Sequence, residues 1–195
     1  MKYRLSILIP TLASRTGKLL SLLQELNYQI QLKPVQVLWL GDNKSMSVGE
    51  KRNRLMQMAS GDFIAYVDDD DQISENYVEV LLEAAKAHPD KTVICFRGTQ
   101  NTDGKEDIPF RYDVNFGRNY KKVIDGQRWK CMLPDHLCAW NRPRMIEPFP
   151  EKSLGEDHAW AKAMAWHYTE EDQVLLTDTL YHYEYNSKNT ETRRR

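Results

Sequence analysis

The amino-acid sequence predicts an α/β protein: a mostly parallel central sheet flanked by helices, with a small region added toward the C-terminus. Three observations carry this. Short apolar runs at 5–9, 35–40, 63–67 and 92–96 have the length and composition of strands buried on both faces. The segments between them place apolar residues at helical spacing. The connections are a few residues long, and parallel strands joined through helices close by right-handed crossovers.

Leu5-Ser6-Ile7-Leu8-Ile9 forms the first strand, which Pro10 stops. Residues 15–27 form a helix with Leu19, Leu20, Leu22, Leu23 and Leu26 in one stripe. The strand at 35–40 ends in Gly41-Asp42-Asn43. Ser47-Val48-Gly49-Glu50 is a capping box: the serine bonds the N3 amide and the glutamate reaches back. The helix it opens stops at Gly61. The 63–67 strand runs into Asp68-Asp69-Asp70-Asp71, and Ser74 opens a helix to Ala87 with Val78, Leu81, Leu82 and Ala85 on one face. Beyond the 92–96 strand, Asn101-Thr102-Asp103-Gly104 reads as a turn, and 108–130 mixes charges and aromatics without a period. Gly155-Glu156-Asp157 opens a last helix to about residue 167, and short strands near 174–176 and 180–185 close the fold before a loose tail at 186–195.

A chain of 195 residues suits a single domain over 1–195, in two halves at 1–98 and 99–195. With 41% hydrophobic and 28% charged residues it is a folding chain rather than a disordered one. No apolar run approaches the ~20 residues of a membrane span, and the N-terminus is too short and strand-like for a signal peptide. Cys95, Cys131 and Cys138 make no disulfide framework, so the expected location is cytoplasmic. The net charge of −1 excludes a globally basic nucleic-acid binder, yet it hides blocks of +6 over 1–60, −8 over 61–109, +5 over 110–144 and −4 over 145–195.

The four aspartates end the third strand, and in open α/β sheets ligands bind outside the carboxyl ends of strands. In an extended segment Asp68 and Asp70 share one side and Asp69 and Asp71 the other. Two like carboxylates call for a hard cation, and oxygen ligands suit Mg2+ or Mn2+. The plain alternative is an acidic loop that caps the next helix. A receiver-like signalling domain shares this topology but needs an acidic pair after the first strand, where this chain has Pro10-Thr11-Leu12.

The segments Ser6-Ile7-Leu8-Ile9-Pro10-Thr11, Gly49-Glu50-Lys51-Arg52-Asn53, the run from Ala59 to Asp71, and Gly155-Glu156-Asp157 together resemble the family 2 glycosyltransferases of the Rossmann-like GT-A fold. The resemblance implies a nucleotide-sugar donor, most often a uridine diphosphate sugar, and a Mn2+ or Mg2+ cofactor. It puts Asp68 toward the nucleoside beside Asp69, and Asp70 on the metal. Pro10, Thr11 and Asp42 fall at the base, and Lys51 and Arg52 at the nucleotide. For Lys51 the alternative is an exposed first turn of a helix. Glu156-Asp157 resembles the acceptor-activating pair, with Asp157 the base of an inverting transfer; alternatively the two acids merely favour the helix N-terminus. His182 matches a late histidine that some GT-A enzymes place on the metal, against a structural strand histidine.

Cys131, His136 and Cys138 lack a fourth zinc ligand at usual spacing and read as packing residues, with His136 near the acceptor. Residues 110–144 interleave six aromatics, Trp129 among them, with cations that include Lys121 and Lys122. Such a surface suits an anionic acceptor: a glycan, a lipid-linked sugar or a nucleic acid. Its alternative is a covering excursion over the sheet. The function class that rivals transfer is a nucleotide- or nucleic-acid-binding module on the same fold.

Overall fold

The computed structural model describes residues 2–185. The elements in chain order are β1 (Leu5–Leu12), α1 (Thr16–Gln29), β2 (Val35–Asp42), α2 (Val48–Met58), β3 (Phe63–Tyr66), β4 (Gln72–Ile73), α3 (Tyr77–Ala87), β5 (Val93–Thr102), β6 (Ile108–Tyr112), β7 (Tyr120–Ile124), β8 (Gln127–Met132), β9 (Ala139–Asn141), α4 (Glu156–Met164) and β10 (Gln173–Tyr185). They build one sheet in the order β2-β1-β3-β9-β5-β6-β8-β7, with β10 paired to β5 and β4. β1 runs parallel to β2 and β3, and β5 parallel to β10. β9 is antiparallel to both β3 and β5, so the second half of the chain supplies strands to the sheet begun by the first.

β1 continues past Pro10 to Leu12 instead of stopping there. The ladder shows why. Arg4 and Leu8 accept backbone bonds from Phe63 and Val67 on the β3 side. By alternation the missing N–H of Pro10 also faces β3, where β3 has already ended, so no ladder bond is lost. β1 is buried along its whole length and centres the core with Phe63, Tyr66, Val78, Leu81 and Phe96.

Half of the predicted capping box is present. The Ser47 hydroxyl accepts from the Glu50 N–H at 3.1 Å, while the Glu50 side chain turns to Arg54 four residues on. α2 ends at Met58 rather than at Gly61. α3 begins at Tyr77, later than expected, because Gln72 and Ile73 pair with β10 and the Ser74 N–H bonds the Leu180 carbonyl. The two closing strands are one, β10, with register irregularities between Leu175 and Tyr181 that divide it where the sequence broke. The aperiodic 108–130 stretch holds three strands. β7 and β8 form a hairpin over Asp125 (φ 50°) and Gly126 (φ 78°), a two-residue Asp-Gly turn of the kind that matches strand twist. The 186–195 tail lies outside the described residues.

One close approach sets up the site. A Cβ at Gly49 would lie 1.9 Å from the Pro150 carbonyl oxygen, so only glycine lets the first turn of α2 meet the 150–152 segment. The Gly49 N–H bonds the Lys152 carbonyl there, and Asn53 exchanges two bonds with the Phe149 backbone. Phe149 stacks on Trp160 of α4 at 4.4 Å, and Trp160 packs edge-on against Trp140 of β9. α2 is thereby fixed against the start of α4.

Candidate functional site

The four aspartates do not lie along an extended strand. The Asp71 N–H bonds the Asp68 carbonyl at 3.2 Å, closing a turn that splays the four carboxylates toward different partners. Asp69 is buried: Thr11 Oγ1 donates to it at 2.5 Å and Arg15 Nη1 at 2.8 Å. Asp70 stays half-buried, with Arg15 at 3.1 Å and Lys18 at 3.5 Å. Asp71 accepts from the Tyr181 hydroxyl at 2.8 Å and the Glu184 N–H at 3.1 Å. Asp68 turns to Arg52 of α2, the centre of the site. Four adjacent carboxylates repel, and a turn lets each find its own donor where a straight strand would align them in pairs.

The centre is Arg52, 3% exposed. One guanidinium nitrogen donates to Glu156 Oε1 at 2.5 Å and the other to Asp68 Oδ1 at 3.1 Å. Its plane lies over Tyr66 and Phe149, 5.9 and 5.6 Å from the ring centres, and Tyr66 OH donates to the Arg52 carbonyl at 2.8 Å. Burial alone would disfavour the guanidinium charge, but Asp68, Glu156 and Asp157 outweigh it and raise the Arg52 pKa. Burial likewise works against the Asp68 carboxylate, and Arg52 and His136 reverse it, holding the group well below the usual carboxylate range. His136 Nε2 lies 3.4 Å from the second Asp68 oxygen, and Asp135 lies 3.9 Å from its other nitrogen. Asp157 opens α4 beside Glu156, half-buried, with Oδ1 accepting the His158 N–H at 2.7 Å.

Lys51 is 2% exposed, so it is no open first-turn residue. Its ammonium pairs with Asp42 at 2.5 Å and donates to the Thr11 carbonyl at 2.7 Å, tying the carboxyl ends of β1 and β2 together. The other Asp42 oxygen takes the Met46 N–H and the Ser45 hydroxyl. Burial opposes the Asp42 charge, yet these partners hold its carboxyl far below the ordinary range. The sequence placed Lys51, Asp42, Thr11 and Pro10 at the nucleotide. The structure places them together at two adjoining strand ends, with Lys51 spent on protein partners. Replacing Lys51 by methionine leaves Asp42 without its cation, and the expected loss is about 1–3 kcal/mol of unfolding free energy in a urea titration.

His182 pairs in register with Gln72, just past the acidic turn. Its Nδ1 meets Thr99 Oγ1 at 2.8 Å, on the side of β10 opposite Tyr181 and Tyr183. Lys121 and Trp129 lie on the β7–β8 hairpin on opposite sheet faces, with Lys122 on the Trp129 side. Among the described residues no group of three or more His, Cys, Asp or Glu is disposed to hold a metal ion. A divalent cation bound here would have Asp70 as its protein carboxylate, in exchange for Arg15 and Lys18, and would take its remaining positions from water and phosphate oxygens, as magnesium prefers. Burial raises the Asp70 pKa, Arg15 opposes this, and Asp68 and Asp69 add to it. A bound cation would relieve that crowding.

The sequence reading missed several members of the site. Tyr181 donates to Asp71 and accepts the Asp68 N–H at 3.1 Å, fastening β10 to the acidic turn. Burial lifts the Tyr183 hydroxyl above its ordinary pKa, and the charges of Asp71, Asp68, Asp70 and Asp157 lift it further. The period of two in 180–185 carried that signal, since it puts Tyr181 and Tyr183 on one side and His182 on the other. Arg15 and Asp135 carried none.

Residues 14–148 match the family described as Glycosyl transferase family 2. No curated protein matches the chain. Among solved structures, S. aureus TarS 1–349 superposes with a TM-score of 0.63 at 17% identity, over 93% of this chain and 60% of that one. The same protein in complex with UDP-GlcNAc gives 0.63 at 17% identity, over 93% and 58%. In complex with UDP it gives 0.61 at 16%, over 93% and 60%. This chain thus spans about 60% of the length of the structures it resembles. The family match covers most of the sequence, including the acidic turn and the Arg52 helix, and the superposition extends that likeness to the sheet: the chain belongs to glycosyl transferase family 2 and has the GT-A fold.

Proposed function

We propose that the chain is a metal-dependent, inverting glycosyltransferase that moves a sugar from a uridine diphosphate donor to an acceptor hydroxyl. One observation carries this reading: a single buried guanidinium, Arg52, bonds both Asp68 at the strand end and Glu156 at the helix start. The donor-side and acceptor-side acids, far apart in sequence, are thereby parts of one centre. The TarS structures that hold UDP or UDP-GlcNAc support the choice of donor.

In this reading the donor lies across the carboxyl ends of β1, β2 and β3, with Asp68 toward the nucleoside. Asp157 takes the proton of the acceptor hydroxyl as that oxygen bonds the anomeric carbon. The bond from that carbon to the diphosphate oxygen breaks, and its electron pair leaves with the diphosphate. Glu156 acts through Arg52 and is a positioning residue. When a manganese or magnesium ion is held at Asp70, the chemistry it supplies is neutralisation of the charge gathering on the diphosphate.

The test is release of UDP from a panel of UDP-sugars with and without manganese. The native chain is expected to release UDP with manganese only, and Asp70→Asn to lose the manganese dependence of UDP binding while keeping the fold. Manganese-dependent UDP binding that survives Asp70→Asn would remove Asp70 as the metal ligand, and nucleotide binding without any release would favour the binding module.

A further inference from the structure

The β7–β8 hairpin carries a cation cluster that the centre around Arg52 does not use. In its register Lys121 lies directly across from Lys130, and Val123 across from Arg128. Strand alternation therefore puts Lys121, Arg128 and Lys130 on one face and turns Lys122 and Trp129 to the other. The second face is accounted for, since Arg97 covers the Trp129 ring at 5.6 Å. The first is not. Like charges directly across a ladder destabilise it, and among the described residues none of the three cations has an acidic partner. Lys130 bonds only the neutral Gln100 side chain. Its partial burial, and after that Lys121 and Arg128, lower its pKa, so the local field is positive and unrelieved.

Geometry narrows what this face can hold. Arg128 and Lys130 are two residues apart on one strand, about 7 Å, and Lys121 stands about 5 Å across from Lys130. At those backbone spacings three flexible cationic side chains can reach adjacent phosphate groups. The same face of the sheet continues through the pairs Phe110↔Lys130 and Tyr112↔Met132. Phe110 and Tyr112 are buried there, so the open part of that face ends at the cations.

We propose that Lys121, Arg128 and Lys130 form a binding site for the phosphate groups of a phosphate-bearing acceptor. The word acceptor rests on the transferase reading, whereas the polyphosphate site does not. The competing explanation is that lysines on the edge strand β7 only deter edge-to-edge pairing.

The experiment is calorimetric titration of metal-free protein with inorganic tripolyphosphate, in chelator, at about 20 and about 200 mM salt. Native protein is expected to bind, more weakly at the higher salt. The double variant Lys121→Gln/Arg128→Gln should bind about 5-fold more weakly or worse at low salt, with a flatter salt slope, as two exposed charge contacts are worth. Lys122→Gln should match native protein. No binding by native protein, or equal binding by the double variant, overturns the site. Inorganic phosphate binding as tightly as tripolyphosphate marks a free-ion site and overturns the acceptor assignment. UDP binding with manganese is measured in parallel. Its loss alone contradicts the donor reading and leaves the cation site standing.

Discussion

Replacing Asp157 by asparagine is expected to lower sugar transfer by about 100-fold or more while UDP and manganese still bind. General-base catalysis contributes on that scale, and asparagine keeps the shape of the side chain without its ability to take a proton. In the proposed reading the donor contacts lie elsewhere, on the turn after β3 and the ends of β1 and β2. Asp157 itself makes only a local bond to the His158 N–H, which the asparagine oxygen can accept equally well. Steady-state rates under saturating donor, with UDP affinity from calorimetry, separate the two quantities. A variant with near-native turnover would leave Asp157 as a helix-start acid and nothing more.

The second large effect is at Arg52. Arg52→Met keeps the length and the packing over Tyr66 and Phe149 but strands Asp68 and Glu156. Removing one partner of a buried ion pair costs about 3–5 kcal/mol, because the remaining charge is left uncompensated. For a chain of this size that is a fall of roughly 6–20 °C in melting temperature. Arg52→Lys should recover only part of it, since an ammonium cannot reach two carboxylates with a fixed fork. Both variants should lose UDP affinity, because Asp68 loses the donor that orients it. A melting temperature of Arg52→Met close to native would mean that the three-way link carries little weight.

The first half of the fold was legible because its signals are local. The strands around Ile7, Leu38 and Ala65 are short apolar runs, and α2 begins with a serine cap that the structure keeps. The motif residues Asp68, Arg52 and Glu156 were legible one by one, while the bonds that join them appear only in the structure. What escaped is what tertiary context decides. β9, three residues long, is a strand only because β3 and β5 leave a gap for it. The β7–β8 hairpin turns at Asp125-Gly126, a signal the sequence reading passed over because the surrounding charges hid the alternation. Asp68 and Asp70 were expected on one side because strand alternation was carried past the strand end into a turn. The pairing of Lys51 with Asp42 escaped because the two are close only in space.

The most direct measurement of the central claim is a thermal melt of the native chain with UDP, ADP, GDP and CDP, each with and without manganese. A ligand bound only by the folded state at 100 times its dissociation constant adds about 2.7 kcal/mol, a rise of roughly 5–10 °C at this chain length. The account predicts that rise for UDP with manganese, with smaller shifts for the other nucleotides and for UDP alone. A chain whose melting temperature no nucleoside diphosphate raises, with metal or without it, would contradict it.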